Sequence, residues 1–294
     1  MIIGSGTALA VNGGTPVRDP GLAWPRWPQP APNAEGYLLD VLHGPRWALT
    51  GPIRESPLYE RRFARDFAAW TGARHCVPVD HGSSALVIGL ESLGLDFGDR
   101  VLVPALTWTA SATAALRAGL VPVLVDVDPV TGCLNTDSLM RDVGAKAAVV
   151  VHWSCAMADM AALNAAGERL DITMVEDCAQ AHGARLDGQT AGTWGRVGCF
   201  STQQGKVLSS GEGGAVITDD DDLALRLQEL RADSRSYRTD IGGHGELETV
   251  ESATVMGSTC TSRTRGRPRC PSTSCRSSST TCRPASPRRS SHGR

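Results

Sequence analysis

The sequence predicts an α/β fold: a mainly parallel sheet of seven strands with helices on both faces. Seven short apolar runs recur between residues 76 and 218, and helical stretches separate most of them. A hydrophobic share of 41% in 294 residues is enough for a sizeable core. In such a sheet ligands lie at the carboxyl ends of strands, so functional residues are expected just after them.

The elements follow in order. The opening MIIGSGTALAV has no Lys or Arg ahead of its short apolar stretch, so neither a signal nor a transit peptide is expected. Trp24-Pro25-Arg26-Trp27-Pro28-Gln29-Pro30 holds too many prolines for helix or central strand, which predicts an N-terminal arm and extended segment over residues 1–54. From Glu55 to Thr71, Leu58, Tyr59, Phe63, Phe67 and Trp70 recur at helical intervals and predict an amphipathic helix. Strands are then expected at 76–79, 101–103, 121–127, 147–152, 172–175, 197–200 and 215–218, and helices at 84–93, 109–118, 159–170 and 221–231. Residues 55–240 form the expected large domain, 241–258 a connecting segment and 259–294 a basic, low-complexity, disordered tail.

Charge separates body from tail. The net charge is −2, but residues 259–294 hold nine Arg and no acid, leaving 20 basic against 31 acidic residues before them. The overall balance of 29 basic against 31 acidic residues does not suggest a dedicated nucleic-acid binder or a polybasic membrane protein. No apolar run approaches the ~18 residues of a membrane span. Cys76, Cys133, Cys155, Cys178 and Cys199 are scattered singly through apolar segments, which fits reduced thiols in the cytoplasm. Cys260, Cys270, Cys275 and Cys282 lack zinc spacing, so no metal is expected.

Four clusters follow predicted strands. His81-Gly82-Ser83-Ser84 is a strand-to-helix turn that can meet an anion through its glycine, free amides and hydroxyls; a plain serine N-cap is the alternative. Trp108, in Pro104-Ala105-Leu106-Thr107-Trp108, either stacks on a planar ligand or simply packs. Glu176-Asp177-Cys178-Ala179-Gln180-Ala181-His182 ends an apolar strand in groups seldom buried unpaired, a site or else a salt-bridged strand end. Lys206, between an apolar strand and Gly211-Glu212-Gly213-Gly214, either faces solvent or is a desolvated amine suited to a covalent bond with a carbonyl. Together, an Asp for a pyridinium nitrogen, a Lys for an aldehyde, an aromatic lid and a Ser-rich helix start are what pyridoxal 5'-phosphate (PLP) requires. A nicotinamide site competes for such a sheet, but no GxGxxG follows a strand.

HGSSAL, VPALTW, EDCAQAHGA and FSTQQGKVLSSGEGG resemble the DegT/DnrJ/EryC1/StrS family of PLP-dependent aminotransferases. Within it, WPRWPQ, PRWALTG, VVVHWSCAMADM and LRADSRSY are most similar to the L-glutamine:2-deoxy-scyllo-inosose aminotransferases of aminoglycoside biosynthesis. The resemblance runs from about Val11 to Ser258 and implies the fold-type I aminotransferase large domain and a homodimer with active sites at the subunit interface. It implies that Lys206 bonds to the cofactor aldehyde, Asp177 pairs with the ring nitrogen, Gln180 hydrogen-bonds the ring hydroxyl and Trp108 stacks on the ring. Ser83, Ser84 and Ser201 would hold the phosphate, and Trp47, Trp153 and His182 would neighbour the substrate. L-glutamine, then L-glutamate, are the implied donors, and a keto-cyclitol or nucleotide-linked keto-sugar the acceptor. The family's sugar dehydratases replace the lysine by His, so Lys206 argues against that reaction, and the complete Asp, Gln and Lys set argues against a non-catalytic homologue.

Beyond Ser258 the resemblance stops. The family continues with an Asn that reaches the partner's cofactor phosphate and then a small C-terminal domain; here Thr259 follows and the tail begins. Either the tail is a natural basic segment, or a GC-rich gene has been read out of frame near Ser258, which the abrupt change favours. The expectation is a chain without the small domain that exposes apolar surface, dimerises poorly and turns over little.

Overall fold

A computed structural model describes residues 8–19, 21–45, 47, 58–142, 144–238 and 246–257. The described residues all belong to one compact unit. The expected tail over 259–294 lies outside the described residues, as does the start of the helix expected from Glu55.

The elements in chain order are α1 (Ala34–His43), α2 (Tyr59–Thr71), β1 (His75–Val79), α3 (Gly82–Ser92), β2 (Arg100–Pro104), α4 (Ala110–Arg117), β3 (Val121–Val125), α5 (Thr136–Leu139) and β4 (Ala147–Val151). There follow α6 (Met160–Leu170), β5 (Thr173–Asp177), the short pair β6 (Arg185–Leu186) and β7 (Gln189–Thr190), β8 (Val197–Ser201), β9 (Gly214–Thr218), α7 (Asp221–Arg231), β10 (Arg235–Tyr237) and β11 (Thr249–Glu251). All seven expected strands form one sheet, in the order β1-β9-β8-β5-β4-β2-β3.

The pairs β2/β3, β2/β4, β4/β5 and β5/β8 are parallel, whereas β8/β9 and β9/β1 are antiparallel. Only β9 therefore runs against the other six, and its first residue lies at the edge where they end. Strand side chains alternate between faces. Val101 and Val103 join α3, α4 and α7 in one apolar cluster, while Leu102, Val150 and Met174 join α5 and α6 in another. Phe67 of α2 meets Phe200 at 5.1 Å between ring centroids, closing a third cluster.

The extended reading of residues 1–54 needs one correction. Residues 23–31 carry no helix or strand, as their prolines dictate, but α1 follows in proline-free AEGYLLDVLH, where straight-chain residues favour helix. It buries no residue and leans on α2 through Tyr59, whose hydroxyl donates to Asp40 Oδ2 over 2.8 Å.

Candidate cofactor site

The strand ends enclose a cavity of about 360 Å³, within the about 300–1,000 Å³ typical of small-ligand sites. Ser83, Trp108, Asp177, Gln180, Ser201 and Lys206 all line it. Each follows a strand: Ser83 after β1, Trp108 after β2, Asp177 and Gln180 at and after β5, Ser201 and Lys206 at and after β8. Glu212 joins them because β9 begins at this edge.

One end suits an anion. The cap of α3 is His81 and makes no side-chain cap bond, so neither serine serves as the N-cap. Ala85 N–H donates to His81 O, leaving the N–H groups of Gly82, Ser83 and Ser84 without helical acceptors. Gly82 is required by proximity, since a Cβ there would stand 2.4 Å from Ser201 Cβ. The close approach brings the Ser201 hydroxyl to the positive end of α3.

The cluster at the end of β5 splits between structure and site. Glu176 is fully buried and accepts from His152 Nε2 (2.8 Å) and from the backbone N–H groups of Gly192 (2.8 Å), Trp194 (2.7 Å) and Gly195 (2.5 Å), which is the salt-bridged strand end. The neighbouring Asp177 faces the cavity instead. Its Oδ2 accepts from Ser111 Oγ at 2.9 Å and its Oδ1 from Ala179 N–H at 3.2 Å. Burial raises its carboxyl above the ordinary Asp value, opposed by these two hydrogen bonds and by the charge of Lys206.

Gln180 is aimed by its neighbours. Ser154 N–H donates to Gln180 Oε1 over 2.9 Å, so the side-chain amide is left to present its NH₂ as donor. Ser154 and Cys155 both take left-handed backbone, φ 51° and 66°, and the Cys155 thiol donates to Gln180 O at 2.8 Å. Trp108 is 75% exposed, so its indole is not spent on core packing. Lys206 is half-buried on a turn where its N–H donates to Gln203 O, and Trp27 of the arm donates Nε1–H to Gln204 O over 2.7 Å.

Four expected residues are not in the lining. Ser84 sits half-buried in the first turn of α3. Trp153 packs between the two main apolar clusters. Trp47 is 70% exposed. His182 lies behind the wall, 5.5 Å from the Phe200 ring, and neither ring nitrogen makes a hydrogen bond of normal geometry. Burial holds its pKa below the ordinary histidine value; the Ser201 backbone opposes this and the Lys206 charge adds to it.

Sequence reasoning missed Thr107, Ser111 and Trp27. Ser111 stands among the alanines of ASATAALR, four residues after Thr107, and a lone hydroxyl on an apolar helix face was the available signal. The buried trio His152, Glu176 and Cys178 has metal-ligand chemistry, but Glu176 is already saturated by four donors. No helix among the described residues is long and apolar enough to cross a membrane.

The chain is similar to known proteins. The chain is 48% identical over 254 residues to the L-glutamine:2-deoxy-scyllo-inosose aminotransferase of Micromonospora echinospora, covering 86% of this chain and 60% of that protein. It is 45% identical over 255 residues to the L-glutamine:scyllo-inosose aminotransferase of Streptomyces griseus, covering 86% and 59%. Among solved structures, the aminotransferase from Psychrobacter cryohalolentis superposes with a TM-score of 0.69 at 27% identity, covering 80% of this chain and 59% of the other. The 3-amino-5-hydroxybenzoic acid synthase gives 0.67 at 32%, covering 77% and 60%. The chain thus spans about three fifths of the length of the curated relatives it matches. Residues 37–256 match the DegT/DnrJ/EryC1/StrS aminotransferase family, and the chain belongs to it.

Proposed function

We propose that this chain is a PLP-dependent aminotransferase that takes its amino group from L-glutamine and delivers it to a keto-cyclitol such as 2-deoxy-scyllo-inosose, in aminoglycoside biosynthesis. The observation that carries the reading is the meeting of Lys206 and Asp177 in one cavity, with a helix N-terminus at one end. The names of the similar proteins supply the donor and acceptor.

The residues fit the cofactor. Gly82 makes room for a phosphate beside Ser201 and the free N–H groups of α3; Ser83 and Ser84 belong to the same turn. Asp177 would pair with the ring nitrogen, the NH₂ of Gln180 would donate to the ring hydroxyl, Trp108 would cover the ring and Lys206 would bond to the aldehyde carbon. When bound, PLP supplies an electron sink for the bonds of an attached amino acid. Asp177, as an anion, would keep a proton on the ring nitrogen and so favour that chemistry. The amine of Lys206 would move the α-proton, as general base and then as acid. Trp47, Trp153 and His182 stand as candidates for the wider substrate surroundings. A homodimer completes the reading, supported by the apolar residues that α1 and Trp108 leave exposed. Five free cysteines among the described residues suit a cytoplasmic location.

The chain is incubated with PLP, reduced with borohydride and digested. Label on Lys206 is expected, and label elsewhere or none overturns the cofactor reading. Incubation with L-glutamine and 2-deoxy-scyllo-inosose, beside a nucleotide-linked keto-sugar, then identifies the acceptor from the mass of the amine formed.

A further inference from the structure

We propose that Ser111, fed by Thr107, is a positioning residue that holds Asp177 in place as the anion the cofactor ring nitrogen needs; this rests on the PLP reading above. Ser111 is 0% exposed on the first turn of α4. Its Oγ is 2.9 Å from Asp177 Oδ2 and 2.7 Å from Thr107 Oγ1.

Proton counting sets the direction of this chain of bonds. A serine hydroxyl has one proton, and an ionised carboxylate only accepts. Ser111 therefore donates to Asp177, and Thr107 must donate to Ser111. Thr107 lines the cavity directly before Trp108, so the turn that bears the aromatic ring is tied through two hydroxyls to the strand end that bears the carboxylate. Reversal of the relay would leave Asp177 facing a lone pair, which only a protonated carboxyl can meet.

Several groups face Asp177. Lys206 approaches from the turn after β8 and His152 from the end of β4, while Cys199 on β8 and the adjoining Glu176 and Cys178 complete the surroundings. Burial pushes the Asp177 carboxyl up, and the Ser111 hydrogen bond is the leading influence that pulls it back, ahead of Ala179 N–H, Lys206 and His152. Removing the Ser111 hydroxyl leaves a buried carboxylate one donor short.

The sign of the effect follows. An acid whose native pKa is raised stabilises the fold most below its unfolded pKa, and that contribution is lost as pH rises through the native value. Ser111→Ala raises the native value further, so its stability deficit grows with pH. A loss of packing alone gives a deficit that does not change with pH.

The test uses the full chain without cofactor. Urea unfolding is followed from pH 5 to pH 8.5 for the unmodified chain, S111A, S111T, D177N and S111A/D177N, with T107V as the milder variant should S111A not fold. The expected result is a deficit in S111A that widens with pH, recovers in S111T and loses its pH dependence in the D177N background. A deficit that is constant with pH overturns the relay. A second arm measures PLP affinity by quenching of tryptophan fluorescence. S111A is expected to bind PLP about ten-fold more weakly near neutral pH, as a lost bond to a charged group implies. Equal affinity for S111A and the unmodified chain at every pH also overturns the relay. If the unmodified chain does not bind PLP, the cofactor reading fails and the unfolding arm alone decides the relay.

Discussion

His152 donates from Nε2 to Glu176 Oε2 over 2.8 Å, with both side chains wholly buried. Ala158 N–H donates to His152 Nδ1 at 3.3 Å, which places the ring proton on Nε2. Glu176 also gathers the N–H groups of Gly192, Trp194 and Gly195, so a single carboxylate fixes the turn under β5 and, with it, the strand end that presents Asp177. Glu176→Gln cannot accept from four donors. It is expected to cost about 3 kcal/mol or more, as breaking a buried charged network does; a urea midpoint within error of the unmodified chain at unchanged slope counts against this.

Gly82→Ala tests the anion end. The added methyl meets Ser201 Cβ at 2.4 Å, and backbone stands on both sides, so helix and strand must part. Binding of PLP is expected to fall at least about ten-fold, equivalent to about 1.4 kcal/mol, with the far-ultraviolet circular dichroism retained. Unchanged PLP affinity would show that phosphate does not sit there.

His182 sets a pH dependence of opposite sense to Asp177. Its native pKa is depressed by burial, so the stability it contributes is present above the ordinary histidine value and is lost as pH falls through the range between that value and the native one. His182→Phe, which keeps an aromatic ring against Phe200, should flatten the urea stability curve on the acid side. A curve that keeps its slope removes His182 as the cause.

Thiol reactivity should divide along exposure. Cys155 is exposed, Cys178 and Cys199 are buried with thiol pKa values raised well above the ordinary one by burial, and burial pushes Cys76 to about 12. Thiolate is the reactive form. Brief iodoacetamide treatment at mild alkaline pH should label Cys155 ahead of these three by peptide mapping, and PLP should slow it, since Cys155 adjoins Gln180. Equal labelling of Cys178 would contradict the packing.

Trp27 ties the arm to the turn of Lys206. Trp27→Phe removes the indole donor to Gln204 O while keeping most of the ring area, a loss of about 1 kcal/mol. Hydrogen exchange at the amides of residues 204–206 is expected to quicken, with little change in the sheet. Unaltered exchange there would detach the arm from the site.

How much of this was legible in advance differs by element. The central parallel strands were readable because a parallel sheet buries both faces, so β4 reads as an unbroken apolar AAVVV with every residue buried. Lys206, Asp177, Gln180 and Trp108 stood out as polar or aromatic groups directly after such runs. Helix α1 was hidden by the prolines before it, and its contact with Tyr59 is one that no local pattern announces.

The order of residues along the chain determined the fold class, the edge of the sheet where the cavity forms and the group of side chains gathered there, because periodicity and strand-end chemistry are local properties. Only the tertiary structure decided which of the adjacent pair Glu176 and Asp177 anchors a turn and which faces the cavity. The physical reason is the alternation of a strand: neighbours one residue apart point to opposite faces, and which face holds donors for a buried carboxylate depends on segments distant in sequence, here Ser111 on one side and residues 192–195 on the other.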